Sequence, residues 1–296
     1  MSEQKTVLVS GATGLVGRSL CACLQANGHV VRRLSRSSGD ISWNPEAGEI
    51  DSGSLDGIDV VVHLAGESVD QRWTESAKAR ILDSRVKSAD LLVREILKQN
   101  RAIDYISASG ISYYGVDLPD ALDESMPLGG GFLAKVTQGW EGAADPLRKA
   151  GLRCVFLRTG VVLSKEGGAL KKLLSPFKAG LGGRVGSGRQ IMSWIGLDDL
   201  VRIFERCIVD CEIEGPVNAV SPEAVTNAEF TKALGKVLGR PTIFPLPTAI
   251  VKTLFGEMGN ETILSNLKVI PAKLTALDFQ WNFPDIESAL RNTLKE

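Results

Sequence analysis

Residues 6–17 read TVLVSGATGLVG, and the prediction of the fold starts from them. The first five residues form a short apolar run that predicts a buried strand, and the residues from Gly14 to Asn27 predict a helix. The glycines at 11, 14 and 17 therefore lie where a strand gives way to a helix. In such a turn, the first glycine permits the tight bend and the third lets the helix pack closely on the strand.

The turn itself comprises Gly11, Ala12, Thr13, Gly14, Leu15, Val16 and Gly17. A helix N-terminus presents unpaired N–H groups and a partial positive charge, and the middle glycine lets backbone approach a pyrophosphate. A P-loop does not fit, because five residues separate Gly11 from Gly17 and Arg18 follows in place of a lysine. The segment therefore predicts the phosphate-binding turn of a dinucleotide site.

The rest of the first half alternates apolar runs with amphipathic stretches. Residues 59–65, DVVVHLA, are almost continuously apolar, as is typical of a strand covered on both faces. This order predicts an α/β fold, a doubly wound parallel sheet of the Rossmann type with right-handed crossovers. The further predicted strands are 30–35, 103–109 and 152–162, and the further predicted helices are 75–99 and 135–150.

The regular alternation of predicted strands and helices becomes less clear after about residue 163. Five glycines between 180 and 188 predict an irregular loop, and the prolines between 241 and 247 predict another break. We therefore predict a dinucleotide-binding domain over 1–240, with substrate-side insertions from about 163, and a smaller C-terminal α/β cap over 241–296. The elements predicted in this half are helices at 197–209 and 227–238, a strand at 215–220 and a strand near 279–281.

The end of the second predicted strand indicates which dinucleotide is bound. An acidic residue about 20 positions after the glycines would bind the ribose 2′-hydroxyl of NAD. Here Arg36 lies 19 residues after Gly17 and is preceded by Ser35. A guanidinium pairs with a 2′-phosphate, which a carboxylate would repel. Ser35 and Arg36 therefore predict NADP as the cofactor, the alternative being that Arg36 is a solvated surface residue.

The composition argues against several classes of function, namely nucleic-acid binding, metal binding and insertion into a membrane. The net charge of −1 gives no general attraction to nucleic acid. The five cysteines form no C-x-x-C pair and there are only two histidines, so no metal site is expected. No signal-like N-terminus and no apolar run long enough to span a bilayer are visible, which predicts a soluble protein of the cytoplasm or another reducing compartment. A homodimer is possible, and nothing in the sequence requires one.

Longer stretches resemble a known family. SGATGLVG at 10–17, VVHLAGE at 61–67, SASGISYYG at 107–115 and GLGGRVGSGRQIMSWIGLDDL at 180–200 are similar to the extended short-chain dehydrogenases/reductases. The resemblance is greatest to their atypical branch, epimerase family 39U, which is also described as nucleoside-diphosphate-sugar epimerase-like. It implies NADP, a C-terminal domain of unknown function, and a cofactor site lined by Leu64, Ala65, Gly66, Glu67 and Ser107.

The family's usual catalytic pair is missing. Its members use a serine or threonine with a Tyr-x-x-x-Lys pair, in which the lysine lowers the pKa of the tyrosine. The tyrosines here, at 105, 113 and 114, are followed four residues later by Ser, Asp and Leu. By resemblance, Ser109 would bind a substrate carbonyl or hydroxyl, and Tyr113 or Tyr114 would carry the proton. The alternative for the two adjacent tyrosines is a packing role.

Three further positions are substrate-side candidates: Arg85 in the long helix, Arg189 with Gln190 in the glycine-rich loop, and Trp194. An arginine in such a loop binds an anion or is simply solvated. Asp198 and Asp199 are interpreted as caps of the helix that they begin. Together these features predict an NADP(H)-dependent oxidoreductase or epimerase acting on a small molecule, with nucleotide-linked compounds among the candidates. The alternative is an NADPH-binding sensor or scaffold without turnover.

Overall fold

The computed structural model describes residues 3–37 and 39–295. Its strands are β1 (Thr6–Ser10), β2 (Val30–Ser35), β3 (Ile41–Asn44), β4 (Glu49–Ile50), β5 (Val60–His63), β6 (Asp104–Gly110), β7 (Asp117–Leu122), β8 (Cys154–Thr159), β9 (Val161–Leu163), β10 (Ile191–Met192), β11 (Trp194–Gly196), β12 (Gly215–Ala219), β13 (Val225–Thr226) and β14 (Asn266–Val269). Its α-helices are α1 (Leu15–Ala26), α2 (Glu75–Leu97), α3 (Phe132–Gly142), α4 (Asp145–Lys149), α5 (Gly168–Lys178), α6 (Leu197–Val209), α7 (Asn227–Leu238), α8 (Thr248–Glu261), α9 (Ala272–Ala276) and α10 (Ile286–Leu294). A 3₁₀ helix spans Ile111–Tyr114.

Eight strands form one sheet in the order β12-β8-β6-β5-β1-β2-β3-β4. All neighbours pair in parallel except β3 and β4. The chain runs from β1 to β2 on one side and later returns to β5 on the other side of β1. The order therefore reverses between β1 and β5, and their carboxyl ends border the crevice where ligands bind in open α/β sheets. The predicted doubly wound parallel sheet is confirmed.

Apolar clusters cover both faces of this sheet. Along β1, Val7 and Val9 belong to the cluster under α1 and α6, whereas Leu8 belongs to the cluster under α2 and α4. All three side chains are fully buried. Because neighbouring residues of a strand face opposite sides, a strand buried on both faces must be apolar at every position. This explains why short apolar runs were sufficient to predict strands such as β1 and β5, whereas β3, β4 and β7, which lack such runs, were not predicted.

Two predicted elements are divided in the structure. The helix predicted over 135–150 is α3 followed by α4, and Pro146 lies in the first turn of α4, where a proline starts a helix rather than continues one. The strand predicted over 152–162 is β8 followed by β9, which leaves the main sheet and pairs with β11. A Cβ on Gly160, between these strands, would lie 2.8 Å from the Ser193 carbonyl oxygen, so the crossing requires a glycine.

The glycine-rich and proline-rich segments form one paired structure. The N–H of Phe244 donates to the carbonyl of Gly182, and the N–H of Gly186 donates to the carbonyl of Leu246. A Cβ on Gly183 would lie 1.9 Å from the Phe244 carbonyl oxygen. The glycines therefore permit close contact between two backbones, which the prediction of an irregular loop missed.

The strand predicted near 279–281 is wrong. Phe279 and Trp281 lie outside regular structure and pack edge to face, with ring centroids 5.1 Å apart. The strand of this region is β14, which pairs in parallel with β7 from the first half of the chain. The C-terminal residues are thus joined to the larger part of the molecule through a small second sheet.

Candidate cofactor and substrate site

The glycine turn packs against the end of β5. Gly11 has a φ of +69°, and a Cβ there would lie 2.8 Å from the carbonyl carbon of Leu64. A Cβ on Gly17 would lie 2.2 Å from the Gly11 carbonyl oxygen. The Ser10 hydroxyl accepts N–H groups from Leu64 at 3.2 Å and from Ala65 at 3.4 Å. The two loops that border the crevice are therefore held together, and glycine is the residue that fits at 11 and 17.

The beginning of α1 keeps its N–H groups available for an anion. Its N-cap is Gly14 in extended conformation, and no described side chain caps the helix or places a carboxylate in its first turn. Thr13 is held through its carbonyl, which accepts from the Arg18 guanidinium at 3.0 Å. Leu15 contacts the segment after β9, since a Cβ on Gly167 would lie 3.2 Å from the Leu15 side chain. Uncapped N–H groups and the helix dipole together suit a pyrophosphate.

The residues predicted to select NADP lie at the carboxyl end of β2. The Ser35 hydroxyl accepts the N–H of Ser37 at 3.3 Å. Arg36 is exposed, and no ion pair to it occurs within residues 3–37 and 39–295. The nearby carboxylate of Asp40 accepts the backbone N–H of Arg33 at 2.8 Å, and this bond together with the Arg33 guanidinium lowers the pKa of Asp40. The one acid of this turn is thus paired, and Arg36 carries a free positive charge.

Arg85 supports the loop that follows β5. Its Nη1 donates to the carbonyls of Glu67 and Ile81, both at 2.9 Å. Its guanidinium carbon lies 5.0 Å from the centre of the Trp140 ring. A Cβ on Gly66 would lie 2.9 Å from that carbon, so the glycine leaves room for the arginine. Burial lowers the pKa of Arg85 to about 10.

Glu67 is turned away from Arg85. Its carboxylate accepts from Arg80 at 3.0 Å and from the amide of Gln71 at 3.0 Å. The Gln71 amide, followed by the Arg80 guanidinium, lowers the pKa of Glu67. Its backbone N–H donates to the Ser84 hydroxyl at 2.9 Å. Residues 64–67, which the family resemblance assigns to the cofactor site, therefore form a fixed loop beside the glycine turn.

A buried histidine, which the sequence analysis did not single out, fixes the end of β5. His63 Nδ1 lies 3.0 Å from the Tyr105 hydroxyl and 3.0 Å from the indole nitrogen of Trp140. Its Nε2 lies 2.8 Å from the hydroxyl of Ser88, which in turn donates to helix carbonyls. Burial, with a smaller contribution from the Arg85 charge, lowers the pKa of His63 to about 3. The ring is therefore a neutral link between β5, β6, α2 and α3.

Ser109 belongs to a buried ionic network. Its hydroxyl donates to Glu141 at 2.7 Å, and Arg158 donates to both oxygens of the same carboxylate, from Nε at 3.0 Å and from Nη2 at 2.9 Å. Ser109, Arg158 and Asn218 are register partners across β6, β8 and β12. A parallel sheet thus places their side chains in one row. Glu141 and Arg158 have no spacing signal in the sequence, because α3 and β8 meet only in the folded chain.

The two adjacent tyrosines have different surroundings. Tyr114 is fully buried, donates its hydroxyl proton to Asn218 at 2.7 Å and accepts from Arg158 at 3.1 Å. Burial raises the pKa of Tyr114. The ring centre of Tyr113 lies 3.4 Å from the guanidinium carbon of Arg158, and its hydroxyl has no hydrogen-bond partner among the described residues. The Tyr114 hydroxyl is therefore engaged in buried hydrogen bonds, whereas the Tyr113 hydroxyl is left without a partner among the described residues.

The remaining candidates are dispersed. Ser107 is buried and donates to the Ala108 carbonyl at 2.9 Å. Arg189 is exposed, and Gln190 donates to the Val185 carbonyl inside its own loop at 3.2 Å. Trp194 is fully buried in the apolar cluster formed around α5 and α7. The structure therefore does not place Ser107 or Trp194 on an accessible surface.

The predicted capping role of Asp199 is wrong. The N-cap of α6 is Gly196, without a side-chain cap. The Asp199 carboxylate accepts the backbone N–H groups of Asn282 at 2.9 Å and Phe283 at 3.2 Å. Asp198 accepts the Asn292 amide at 2.9 Å. The two carboxylates attach the C-terminal segment to the larger part of the molecule, a use that only the tertiary fold shows.

The described ranges 3–37 and 39–295 contain neither a cluster of metal ligands nor a helix able to span a membrane. No group of three or more His, Cys, Asp or Glu side chains is arranged to hold a metal ion there. None of the helices in those ranges combines the length and the apolar composition needed to cross a bilayer.

Residues 7–218 match the NAD dependent epimerase/dehydratase family, and residues 246–293 match a domain of unknown function, DUF1731. The chain belongs to the NAD dependent epimerase/dehydratase family. It is 41% identical to the epimerase family protein MT2273 of Mycobacterium tuberculosis over 96% of both chains, and 37% identical to human epimerase family protein SDR39U1 over 96% of this chain and 98% of that one. The resemblance inferred from the sequence is confirmed.

Solved structures agree with this assignment. The crystal structure of human SDR39U1 isoform 2 with NADPH superposes with a TM-score of 0.89 at 36% identity, covering 97% of this chain and 98% of that chain. A nucleoside-diphosphate sugar epimerase from Corynebacterium glutamicum gives a TM-score of 0.83 at 37% identity, covering 99% of this chain and 58% of that one. UDP-glucose 4-epimerase from Thermotoga maritima, at 20% identity, shares the fold with a TM-score of 0.76 over 97% of both chains.

Proposed function

We propose that this protein binds NADP(H) in the crevice between β1 and β5 and is an oxidoreductase or epimerase for a small-molecule substrate. The observation that carries the proposal is the uncapped start of α1, whose free N–H groups suit a pyrophosphate, in a turn that Gly11 and Gly17 allow to pack closely against its neighbours. The human relative was solved with NADPH, which supports the same cofactor here.

The selectivity for NADP(H) comes from the end of β2. Arg36 carries the free charge that would pair with a 2′-phosphate, and Ser35 lies beside it. Arg33 holds the Asp40 carboxylate, so that this acid does not oppose a phosphate. Since a guanidinium can bind phosphate through two parallel N–H groups, Arg36 favours NADPH over NADH.

The residues 64–67 and Tyr113 provide the reaction side of the site. When bound, the nicotinamide of NADP(H) exchanges a hydride with a carbon atom of the substrate. Residues 64–67 line the cofactor and Arg85 holds their backbone in place. Tyr113, whose hydroxyl is free, or a water molecule moves the substrate proton. Ser109 and Tyr114 support the site from the buried network rather than by touching the substrate. Arg189 and Gln190 remain candidates for the outer substrate site.

A second candidate function is an NADPH-binding sensor or scaffold without turnover. It is favoured by a specific observation: the hydroxyls of Ser109 and Tyr114 are both engaged in buried hydrogen bonds, and no Tyr-x-x-x-Lys pair exists in the sequence. Tight NADPH binding together with no oxidation of NADPH across a broad set of carbonyl compounds would favour the sensor. Oxidation with any of them would favour the enzyme.

Calorimetric titration with NADPH and NADH tests the cofactor assignment. We expect micromolar or tighter NADPH binding and NADH binding at least tenfold weaker, a difference of about 1.4 kcal/mol. Arg36→Asp should remove this preference, because it replaces a cation with an anion beside the 2′-phosphate. Arg32→Asp, the same change of charge earlier in β2, is the matched control and should keep the preference. Failure of the wild-type protein to bind either dinucleotide would refute the proposal.

A further inference from the structure

Arg85 is a half-buried cation, and no carboxylate of the described residues forms an ion pair with it. The nearest acid in its surroundings, Glu67, offers Arg85 only its backbone carbonyl and pairs its carboxylate with Arg80 and Gln71. Buried charges in proteins are normally paired, because removing a charge from water is costly. Within the described ranges, the direct contacts of the Arg85 charge are carbonyl oxygens and the face of Trp140, and the Glu67 carboxylate acts on it only from beyond ion-pair distance.

The free edge of this guanidinium has the geometry of an anion receptor. Nη1 is occupied by the carbonyls of Glu67 and Ile81, which leaves the N–H groups of Nε and Nη2 without a partner among the described residues. These two atoms form the edge that binds carboxylate or phosphate through parallel hydrogen bonds. A Cβ on Gly66 would lie 3.2 Å from Nε, so the glycine leaves this edge uncovered by a side chain.

The neighbours of Arg85 hold it in this position. Trp140 lies under the guanidinium and donates its indole N–H to the buried His63. Gly66 is one residue beyond Ala65, which the Ser10 hydroxyl ties to the glycine turn. The free edge thus lies close to the crevice between β1 and β5, and little side-chain entropy remains to be lost on binding.

We propose that Arg85 is an oxyanion-binding residue of the crevice, which takes a carboxylate or phosphate group. The inference rests on the proposed function, because it treats the crevice as the cofactor site. Two sources share this chemistry: the pyrophosphate of the cofactor and an acidic group of the substrate. In the second case, the substrates of this protein are acids or phosphate esters rather than neutral sugars or alcohols.

The test compares wild type with Arg85→Met and Arg85→Lys. The methionine keeps the apolar stem without charge, and the lysine keeps the charge but lacks the paired edge. Arg94→Met is the matched control, since Arg94 lies on the same helix and also donates to a backbone carbonyl, that of Gly48, at 2.9 Å. NADPH and 2′-phospho-ADP-ribose are titrated by calorimetry. Melting temperatures are measured for the NADPH-saturated proteins with phosphate, oxalate or chloride at equal ionic strength.

Each outcome has one meaning. A loss of at least tenfold in affinity for both NADPH and 2′-phospho-ADP-ribose in Arg85→Met, and a smaller loss in Arg85→Lys, assigns the oxyanion to the cofactor. Unchanged NADPH affinity, with loss of the stabilisation by phosphate or oxalate seen in wild type, assigns it to the substrate. If Arg85→Met binds NADPH as tightly as wild type does and is stabilised by phosphate and oxalate to the same extent, the inference is wrong. If Arg85→Met does not fold, the same comparison is made with Arg85→Lys. Failure of wild type to bind NADPH would instead refute the proposed function.

Discussion

Several buried polar residues of this protein stabilise it through hydrogen bonds to other buried side chains. His63 shows this most clearly, because its two ring nitrogens are engaged by Ser88 on one side and by Tyr105 and Trp140 on the other. The ring lies in full burial at the end of β5. A proton on it would be unsolvated and would lie near the positive charge of Arg85, so the folded protein keeps this histidine neutral.

This neutrality predicts a loss of stability in mild acid. The pKa of His63 is about 3 in the folded protein and 6.5 when the side chain is solvated. Between these values the unfolded chain binds the additional proton, so the free energy of unfolding falls as the pH falls. From pH 7.5 to 5.5 the contribution lost is about 1.4 kcal/mol. Urea unfolding at a series of pH values measures it.

His63→Gln is the control for this prediction, since glutamine keeps a donor and an acceptor but does not titrate. The variant should be less stable at pH 7.5, and its stability should fall less steeply toward pH 5.5. If the pH dependence of the variant equals that of wild type, His63 does not stay neutral in the fold.

At the scale of elements, α3 depends on a distant residue for its start. It begins after Gly131, which has no side chain to cap it. The carboxylate of Glu261, at the end of α8, accepts the N–H groups of Phe132 at 2.7 Å and Leu133 at 2.8 Å. A charged cap satisfies free N–H groups and complements the helix dipole. The C-terminal region thereby stabilises a helix that supplies Trp140 and Glu141 to the site.

We predict that Glu261→Gln lowers the free energy of unfolding by about 1 kcal/mol, because the amide has one acceptor and no charge. Glu257→Gln is the matched control on the same helix. It removes only the exposed ion pair with Lys78 and should cost less than about 0.5 kcal/mol. Equal effects of the two changes in chemical denaturation would mean that the Glu261 contact is not a stabilising cap.

At the scale of the whole molecule, the Glu141–Arg158 pair joins the sheet to α3. Both side chains are buried, and Arg158 connects Glu141 to Tyr114 and so to Asn218 of β12. Removing one member of such a pair leaves a buried charge without a partner, which is strongly destabilising. The network is therefore a structural support beneath the proposed reaction site.

Glu141→Gln should accordingly cost about 3–5 kcal/mol of unfolding free energy. Asp83→Asn, which removes one exposed partner of Lys87, should cost less than about 1 kcal/mol. The comparison is made by urea unfolding at neutral pH. A Glu141→Gln effect as small as that of Asp83→Asn would show that the pair is solvated in the protein rather than buried.

The sequence alone predicted the central parallel strands of the sheet and the phosphate turn, but not β3 and β4 at one edge of the sheet. Strands buried on both faces need unbroken apolar runs, and a backbone that closely approaches another backbone needs glycine, so β1, β5 and the residues Gly11 and Gly17 left a local pattern. The family resemblance extended this local pattern over most of the chain. The split helix at Pro146 and the position of β14 left weaker patterns and were missed.

The tertiary structure decided which polar side chains meet. Ser109, Glu141 and Arg158 belong to three separate elements, and Glu261 lies 128 residues from Leu133, whose N–H group it accepts. No periodic pattern or residue spacing in the sequence predicts such contacts, because they depend on the register of parallel strands and on how helices cross them. For the same reason, only the fold showed that Tyr114 is buried whereas Tyr113 is not, and that no described carboxylate forms an ion pair with Arg85. The local sequence determines the glycine turn, and long-range packing determines which polar side chains lie beside it.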